Sequence, residues 1–476
     1  MPDYPMNKRK NYITDTIKLL IAVIAGLALL SLIPGYSSGK IALKRVNMLS
    51  GLMKSHDSTN NLVAEQLALL TADTQPKVPA ADSTTTDSVT DAKPPKKKVI
   101  ISTGTTPIED FSADGVALSR FFAALDNIDS LGRPVRIAFV GDSFTEGDIL
   151  TSDIRDLLQT RFGGRGVGFV PVVPAVKYTN TTHQDYNGWQ AYSMIYNGKA
   201  ENNKLLLPGQ YFVPGEGATL SLKSTGSKQT CKAWDKVGLL YMNTDSVPAT
   251  VSFRMNSSAD YEFALPENGG LRLLEVEHPD INSLECSFLN ADSMVVYGLF
   301  LDDGQGVYVD NLSLRSSTGL TLSLTNAALM RKMNSLVKFD LVILQHGLNV
   351  AEPDKTAYGA YKTRMVNVIS HLKSAMPETD FLIFGISDRN FKNDEGETVT
   401  MPGIISMAAA QRDIARETGI AFWNTFLAMG GPNSMASFVE SDPPLANKDY
   451  THITYAGGKR LARQFVNSLM EAKENY

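Results

Sequence analysis

The 476-residue sequence predicts an α/β protein with a mainly parallel sheet, extended by an all-β domain and an N-terminal membrane-spanning helix. Three observations support this prediction. From residue 108 onward, short apolar strands alternate with amphipathic helices, as in a parallel sheet that is covered by helices. Residues 205–305 interrupt this alternation with short strands alone, and residues 17–36 form a nearly continuous apolar stretch.

Composition narrows the class of protein. With 43% hydrophobic and 20% charged residues, most of the chain can bury a core, and its length favours two or three domains. The net charge of −5 and the lack of a dense basic stripe beyond the N-terminal third argue against a nucleic-acid partner. No His-x-x-x-His or Cys-x-x-Cys pair is present, so we expect no metal site.

The apolar stretch at residues 17–36 sets the expected compartment. Its 20 positions match roughly what a bilayer core requires. The basic cluster at residues 8–10 favours a cytoplasmic location for residues 1–16. Basic residues also follow the stretch, so the charge bias is weak. A cleaved signal peptide and a buried core helix are the alternatives, but Pro-Gly-Tyr at 34–36 is a poor cleavage site. We expect a single-pass anchor with the body in the periplasm or extracellular space.

Residues 37–107 are expected to separate this anchor from the globular body. Loosely spaced apolar positions at residues 40–70 are compatible with a juxtamembrane helix. Residues 71–99 are rich in Thr, Asp, Pro and Lys and cannot bury a core, so they predict a disordered tether.

The body divides into residues 108–204, an inserted domain at 205–305 and residues 306–476. The insert has alternating short strands and turns, which predicts a β-sandwich, and we expect it to hold a glycan. Its Cys231 and Cys286 form either a disulfide or two separate buried thiols. The flanking segments predict strands at 135–140, 339–345, 380–386 and 420–425, and helices at 111–125, 152–162, 357–373, 405–419 and 456–472.

Two short polar motifs follow predicted strands of the parallel sheet. Gly141-Asp142-Ser143 follows the strand at 135–140, and Gly347-Leu348-Asn349 follows the strand at 339–345. Catalytic groups of parallel sheets gather at the carboxyl ends of the strands. The serine is therefore either a nucleophile or a turn residue that caps a helix. The asparagine either donates its amide to a developing oxyanion or satisfies a loop.

A third motif lies near the C-terminus. Asp449 and His452 are three residues apart, directly before the helix predicted at 456–472. At this spacing the carboxylate can bind one ring nitrogen, which leaves the other nitrogen to take a proton from a serine. An ion pair on the surface is the alternative for this motif alone.

Together, the three motifs resemble the SGNH (GDSL-type) hydrolase superfamily. The resemblance covers about residues 108–202 and 306–472 and implies a three-layer α/β/α domain without a metal or cofactor. By this resemblance Ser143 is the nucleophile, His452 the general base and acid, and Asp449 the carboxylate that orients the histidine. It also implies that Gly347 and Asp142 contact the substrate.

The resemblance also implies an oxyanion hole. One of its contributors, the second motif block, departs from the family pattern in this sequence. The hole would comprise the amide of Ser143, a backbone amide of the second block and the side chain of Asn349. The family places a glycine in that block, whereas this chain has DNLSLRSSTG at 310–319. Ser313, Ser316 and Gly319 are the candidates. We favour Ser316, because the strand that begins near residue 307 should turn there, and a serine can supply the N–H unless the position needs positive φ.

The glycine-rich segment FGGRGVGFVP at 162–171 narrows the expected substrate. It is similar to a segment of polysaccharide and peptidoglycan O-acetylesterases of the superfamily, although a helix-ending turn is the alternative. The resemblance implies a serine esterase that deacetylates an exported glycan. Two alternatives stay open: an O-acetyltransferase served by a membrane acyltransferase partner, and a catalytically silent glycan-binding or assembly protein.

Several further polar or aromatic residues lie near these motifs. For each of them a purely structural role is at least as well supported as a role in the site. We expect His346 to pack or cap at the strand end and Trp189 to lie in a core. Asp388 and Arg389 either contact substrate or form a loop ion pair, and Glu146 and Asp148 are first-turn helix charges.

Overall fold

The computed structural model describes residues 36–38, 41–43, 105–195, 200–267 and 269–476. The chain divides into two compact units, Met1–Leu62 and Val63–Tyr476. Among the described residues, no helix is both long enough and apolar enough to cross a membrane. The span predicted at 17–36 lies almost entirely outside these residues.

In the first unit, strands β1 (Tyr36–Ser38) and β2 (Ile41–Leu43) pair antiparallel. The helix predicted over residues 40–70 is therefore wrong at 41–43. In the sequence a glycine directly precedes Lys40, and glycine disfavours a continuous helix.

The second unit alternates strands with helices except in its middle. Its strands are β3 (Ile108–Asp110), β4 (Val135–Gly141), β5 (Gly168–Val170), β6 (Thr182–Ser193), β7 (Gln210–Ser224), β8 (Trp234–Asn243), β9 (Ala249–Met255), β10 (Tyr261–Leu265), β11 (Arg272–Ile281), β12 (Ser283–Leu289), β13 (Met294–Asp302), β14 (Val307–Asn311), β15 (Phe339–Gln345), β16 (Asp380–Phe384), β17 (Asn390–Lys392), β18 (Thr398–Thr400) and β19 (Ala421–Trp423). Its α-helices are α1 (Ser119–Asp126), α2 (Thr151–Phe162), α3 (Ala327–Val337), α4 (Gly359–Ala375), α5 (Pro402–Thr418), α6 (Thr425–Met429), α7 (Ser434–Glu440) and α8 (Tyr455–Glu474).

A six-stranded sheet in the order β14-β4-β15-β16-β19-β3 forms the centre of the α/β part. All neighbouring strands are parallel except β3, which runs antiparallel to β19 at one edge. Every residue of β4, β15 and β16 is buried, as expected for parallel strands covered on both faces. The predicted α/β class with a mainly parallel sheet is confirmed.

Helices cover this sheet in two groups. Helix α2 packs against α8, and α4 packs against both α3 and α5. Helix α1 begins at Ser119, eight residues later than predicted. The preceding segment turns at Gly115, whose φ of +68° is incompatible with a helix, and its backbone is held by the side chain of Asp110.

The middle of the unit is a nine-stranded sheet that contains β5 to β13. It begins at Gly168, well before the boundary predicted at 205, because β5 pairs with β13 and β6 pairs along nearly the whole of β7. Strand β6 was not predicted, because most of its side chains are polar, although their burial alternates at its start. The sheet encloses a hydrophobic core of its own, where Cys231 and Cys286 are two separate buried thiols.

Candidate active site

The candidate site lies at the carboxyl edge of the central sheet. Strands β4 and β15 are parallel neighbours, with Val140 opposite Leu344 and Gly141 opposite Gln345. The two strands therefore end side by side, and the loops that follow them bring Ser143 and Asn349 to the same edge. The loop before α8 supplies His452 to this edge.

Ser143, His452 and Asp449 form one chain of hydrogen bonds. The Oγ atom of Ser143 lies 3.0 Å from Nε2 of His452, and Nδ1 of His452 lies 2.8 Å from Oδ2 of Asp449. One ring nitrogen of the imidazole thus faces the serine hydroxyl, and the other ring nitrogen is held by a carboxylate. This is the geometry that proton transfer from serine requires.

The loop that contains Asp449 folds back on its own carboxylate. Oδ1 of Asp449 accepts hydrogen bonds from the backbone N–H groups of Thr451, at 2.9 Å, and of His452, at 3.0 Å. Partial burial acts to raise the pKa of Asp449, but these bonds and the imidazole outweigh burial and hold the pKa below its usual value. The carboxylate therefore stays ionised at neutral pH and fixes the histidine ring.

Asp142 and Asn349 form a second polar pair behind the serine. Nδ2 of Asn349 donates to Oδ2 of Asp142 at 3.1 Å, and the backbone N–H of Phe144 donates to Oδ1 of Asp142 at 2.9 Å. Asp142 is fully buried, and burial raises its pKa to about 7 although the hydrogen bonds act in the opposite direction. Through these two bonds Asp142 holds the serine loop and the Asn349 amide.

The second motif block follows β14 and lies directly beside Asn349. Nδ2 of Asn349 also donates to the backbone carbonyl of Ser317 at 3.0 Å, which brings Ser316 next to the asparagine. Ser316 is exposed and has a φ of +63°, a conformation that glycine adopts without strain. The position thus has the backbone that the family glycine would have.

The other two candidates of this block lie elsewhere. Gly319 is buried, and a side chain there would meet the ring of His346 at 3.0 Å. Ser313 donates its backbone N–H to the side chain of Asn311 at 3.0 Å and lines a cavity.

Gly347 and His346 contribute backbone conformation and packing. Gly347 has a φ of +125°, and a side chain there would contact Gln411, whose amide donates to the carbonyl of His346 at 2.6 Å. His346 is buried, burial lowers its pKa to about 3, and its ring nitrogens bond to none of the described residues. His346 therefore stays neutral.

The remaining residues that the sequence singled out are engaged elsewhere. Asp148 binds the buried Arg155, and Glu146 pairs with Arg315 of the second block. Trp189 donates its indole N–H to the Thr219 carbonyl and stacks edge-on against Phe288. The Glu146–Arg315 pair and the Ser317 carbonyl were not foreseen, because no spacing rule links β4 to the loop after β14.

A cavity of about 390 Å³ lies next to the site and is shared by the α/β part and the β-rich region. Glu146, Gly147 and Arg315 line it from the segments after β4 and β14, and Gln184 and Tyr186 line it from β6. Ser143 itself does not line it. Among the described residues, no three His, Cys, Asp or Glu side chains cluster in a way that could hold a metal ion.

Comparison with known proteins bears on the fold. No family model matches the chain, and a search of curated proteins finds no match. A solved structure described as "Peptidoglycan O-acetylesterase in action, 5 min" aligns with a TM-score of 0.63 and 21% identity, over 78% of this chain and 99% of that chain.

Two further structures align with lower scores. A family two carbohydrate esterase from Cellvibrio japonicus covers 62% of this chain and 98% of its own, at 9% identity and a TM-score of 0.24. A salicylyl-acyltransferase from a tetracycline biosynthetic pathway covers 61% and 98%, at 10% identity and a TM-score of 0.26. The fold match to the peptidoglycan O-acetylesterase structure agrees with the fold that the resemblance of the three motifs implies.

Proposed function

We propose that the protein is a serine esterase that removes acetyl groups from an O-acetylated polysaccharide or peptidoglycan through an acyl-serine intermediate. The observation that carries the proposal is the hydrogen-bonded chain from Ser143 through His452 to Asp449, with Asn349 at the same sheet edge. The fold match to a structure described as a peptidoglycan O-acetylesterase supports the choice of an acetylated glycan.

In the first half of the reaction, Oγ of Ser143 attacks the carbonyl carbon of the acetyl ester while Nε2 of His452 takes the hydroxyl proton. The oxyanion that forms would accept hydrogen bonds from the backbone amides of Ser143 and Ser316. Nδ2 of Asn349 would join them by exchanging its hydrogen bond to the Ser317 carbonyl for one to the oxyanion. Asp449 stabilises the imidazolium. The C–O bond to the sugar then breaks, and the sugar oxygen takes the proton from His452.

In the second half, water attacks the acetyl-serine and gives its proton to His452. The Ser143–acetyl bond breaks, Oγ regains the proton, and acetate leaves. The side chains of His452 and Asp449 are 39% and 50% exposed, so water reaches the acyl-enzyme easily. This exposure favours hydrolysis over acetyl transfer, since a transferase must keep water from its intermediate.

The substrate sugar is proposed to extend from Ser143 towards the cavity shared with the β-rich region, which would let Tyr186 contact the glycan. The anchor at residues 17–36 stays a prediction from the sequence, and with it the proposed site of action outside the cytoplasm and the membrane acyltransferase partner. Membrane fractionation of the full chain against a chain that lacks residues 1–36 tests the anchor.

The test of the activity is acetate release from p-nitrophenyl acetate and from an acetylated glycan, with Ser143→Ala as the variant. We expect kcat/KM to fall by at least about 10³-fold in Ser143→Ala, since the nucleophile is lost. Ser323→Ala, which removes an exposed hydroxyl near the second block, is the matched control and should retain full activity.

Two outcomes would contradict this proposal. Equal rates in Ser143→Ala and the wild type would remove the nucleophile assignment and favour a silent glycan-binding protein. Acetate that appears on an added chito-oligosaccharide rather than in solution would identify an O-acetyltransferase.

A further inference from the structure

Arg389 lies between two loops of the candidate active site. It follows β16 and directly precedes β17. Its Nη1 atom is 3.5 Å from the backbone carbonyl of Leu348, the residue before Asn349. The backbone N–H of the next residue, Asn390, donates to the carbonyl of Tyr450 at 3.1 Å, and Tyr450 follows Asp449. Arg389 is thus adjacent both to the proposed oxyanion hole and to the histidine loop.

The backbone at Arg389 is firmly held. Asp388 is fully buried and accepts four hydrogen bonds, from the N–H groups of Arg389 and Met435 and from the hydroxyls of Thr400 and Ser434. The carbonyl of Arg389 accepts from the N–H of Met401 at 2.9 Å. The position of the Arg389 backbone is therefore set by the interior.

The charge of the Arg389 guanidinium is not matched by a carboxylate. Its side chain is partly exposed, and no acidic group of the described residues lies within ion-pair distance of it. The Asp388 carboxylate binds its own four donors. By contrast, Arg315 on the other side of the serine loop is paired with Glu146.

A partly desolvated guanidinium without a carboxylate partner is an anion-binding group. Its planar array of N–H donors matches the two oxygens of a carboxylate. If Arg389 served only to hold the loop through Leu348, an uncharged donor at this position would be sufficient. We propose that Arg389 binds a carboxylate of the substrate and makes the enzyme selective for an acetylated glycan whose sugars carry carboxylate groups, such as a polyuronate. This inference rests on the proposed esterase function.

The experiment uses two polymers that differ only in the carboxylate. One is polygalacturonate acetylated chemically, and the other is carboxyl-reduced polygalacturonate acetylated to the same degree. For the full-length wild type we expect KM to be about tenfold lower on the carboxylate polymer, with little difference in kcat, the size expected of one solvent-accessible charged contact. In Arg389→Gln this ratio should fall to about one, and in Arg389→Lys it should be intermediate.

Arg364→Gln is the matched control, because it removes an exposed arginine on helix α4, and it should keep the tenfold ratio. If Arg389 only braces the loop after β15, Arg389→Gln will slow both polymers equally and the ratio will remain at ten. That result, or a wild type with no preference between the polymers, would overturn the proposal.

A binding measurement separates this proposal from the esterase function. Calorimetric titration of Ser143→Ala with the same two polymers reports affinity without turnover. In the double variant Ser143→Ala, Arg389→Gln, the roughly tenfold difference in affinity between the two polymers should disappear. If the wild type hydrolyses no ester but this difference in affinity is present and depends on Arg389, the esterase function fails and carboxylate recognition stands. If the wild type hydrolyses esters and neither protein distinguishes the polymers, carboxylate recognition fails alone.

Discussion

Asp142 shows how one buried residue can link the stability of the fold to the geometry of the site. Its carboxylate has no contact with solvent, yet it bonds both the serine loop, through the N–H of Phe144, and the amide of Asn349. An ionised carboxylate in such a place is costly, because burial opposes the charge. The residue therefore trades stability at high pH for a fixed asparagine.

This balance predicts a pH-dependent effect of Asp142→Asn on stability. The pKa of Asp142 is about 7 in the folded protein and near 4 when unfolded, so its contribution is fully present below pH 4 and is lost as the pH rises through 7. Asparagine does not titrate. We expect the free energy of unfolding of the variant to improve relative to the wild type between pH 5 and pH 8, by on the order of 2 kcal/mol.

Urea unfolding of both proteins at the two pH values checks this prediction. Asp449→Asn provides the comparison: the pKa of Asp449 is lowered, so the stability that its carboxylate contributes is lost only below about pH 4, and the effect of this variant should be the same at pH 5 and pH 8. A difference between wild type and Asp142→Asn that does not change with pH would contradict the raised pKa.

Among single residues, the sequence identified the serine, the histidine, the aspartate and the asparagine of the candidate site because each follows a strand or precedes a helix. It did not reveal that Asn349 is held by Asp142 and by the Ser317 carbonyl, since these contacts depend on how three loops pack. The positive φ of Ser316 could not be predicted, because a serine, unlike a glycine, does not indicate this backbone conformation in a sequence.

At the scale of elements, the close approach of helix α8 to the serine loop explains the paired glycines at its start. A side chain at Gly458 would lie 1.9 Å from the backbone carbonyl of Ile149, and one at Gly457 would lie 2.0 Å from that of Leu445. Helix α8 follows His452 directly, so these contacts set the distance between histidine and serine. The sequence predicted the helix but not this constraint, because the contact with Ile149 joins residues some 300 positions apart.

We predict that Gly458→Ala destabilises the protein by about 2–3 kcal/mol and lowers kcat, because backbone must shift to admit the methyl group. Gly359→Ala is the matched control at the start of helix α4. A side chain there meets nothing within 4 Å, so alanine should be neutral or stabilise by up to about 1 kcal/mol. Thermal unfolding and ester hydrolysis measured on both variants test this, and equal effects would refute the packing argument.

At the scale of the whole second unit, the strands of the β-rich region could be predicted, but not how they join the α/β part. Alternating apolar residues revealed most strands within 205–305. The early strands β5 and β6 escaped, since Gly168–Val170 is short and pairs with β13, a partner more than 120 residues away. Pairing between distant segments leaves no local pattern in a sequence.

Arg136 joins the two parts through a buried ionic cluster. It lies on β4, and its guanidinium binds Asp310 of β14 and Asp302 of β13, while Asp310 also accepts the N–H of Phe169 from β5 at 2.7 Å. All three charged residues are buried. Removing the arginine would leave buried Asp310 without an ion-pair partner, and it would leave Asp302 with only Lys236, whose Nζ lies 3.9 Å away.

We therefore predict that Arg136→Ala destabilises the protein by about 3–5 kcal/mol. Arg165→Ala is the matched control, because Arg165 pairs with Asp235 and Asp280 at the surface, where the loss should stay near 1 kcal/mol or less. Because the cluster spans both parts, the wild type should unfold in a single transition by calorimetry. Two separate transitions in the wild type, or equal losses in the two variants, would show that the β-rich region folds independently of the catalytic sheet.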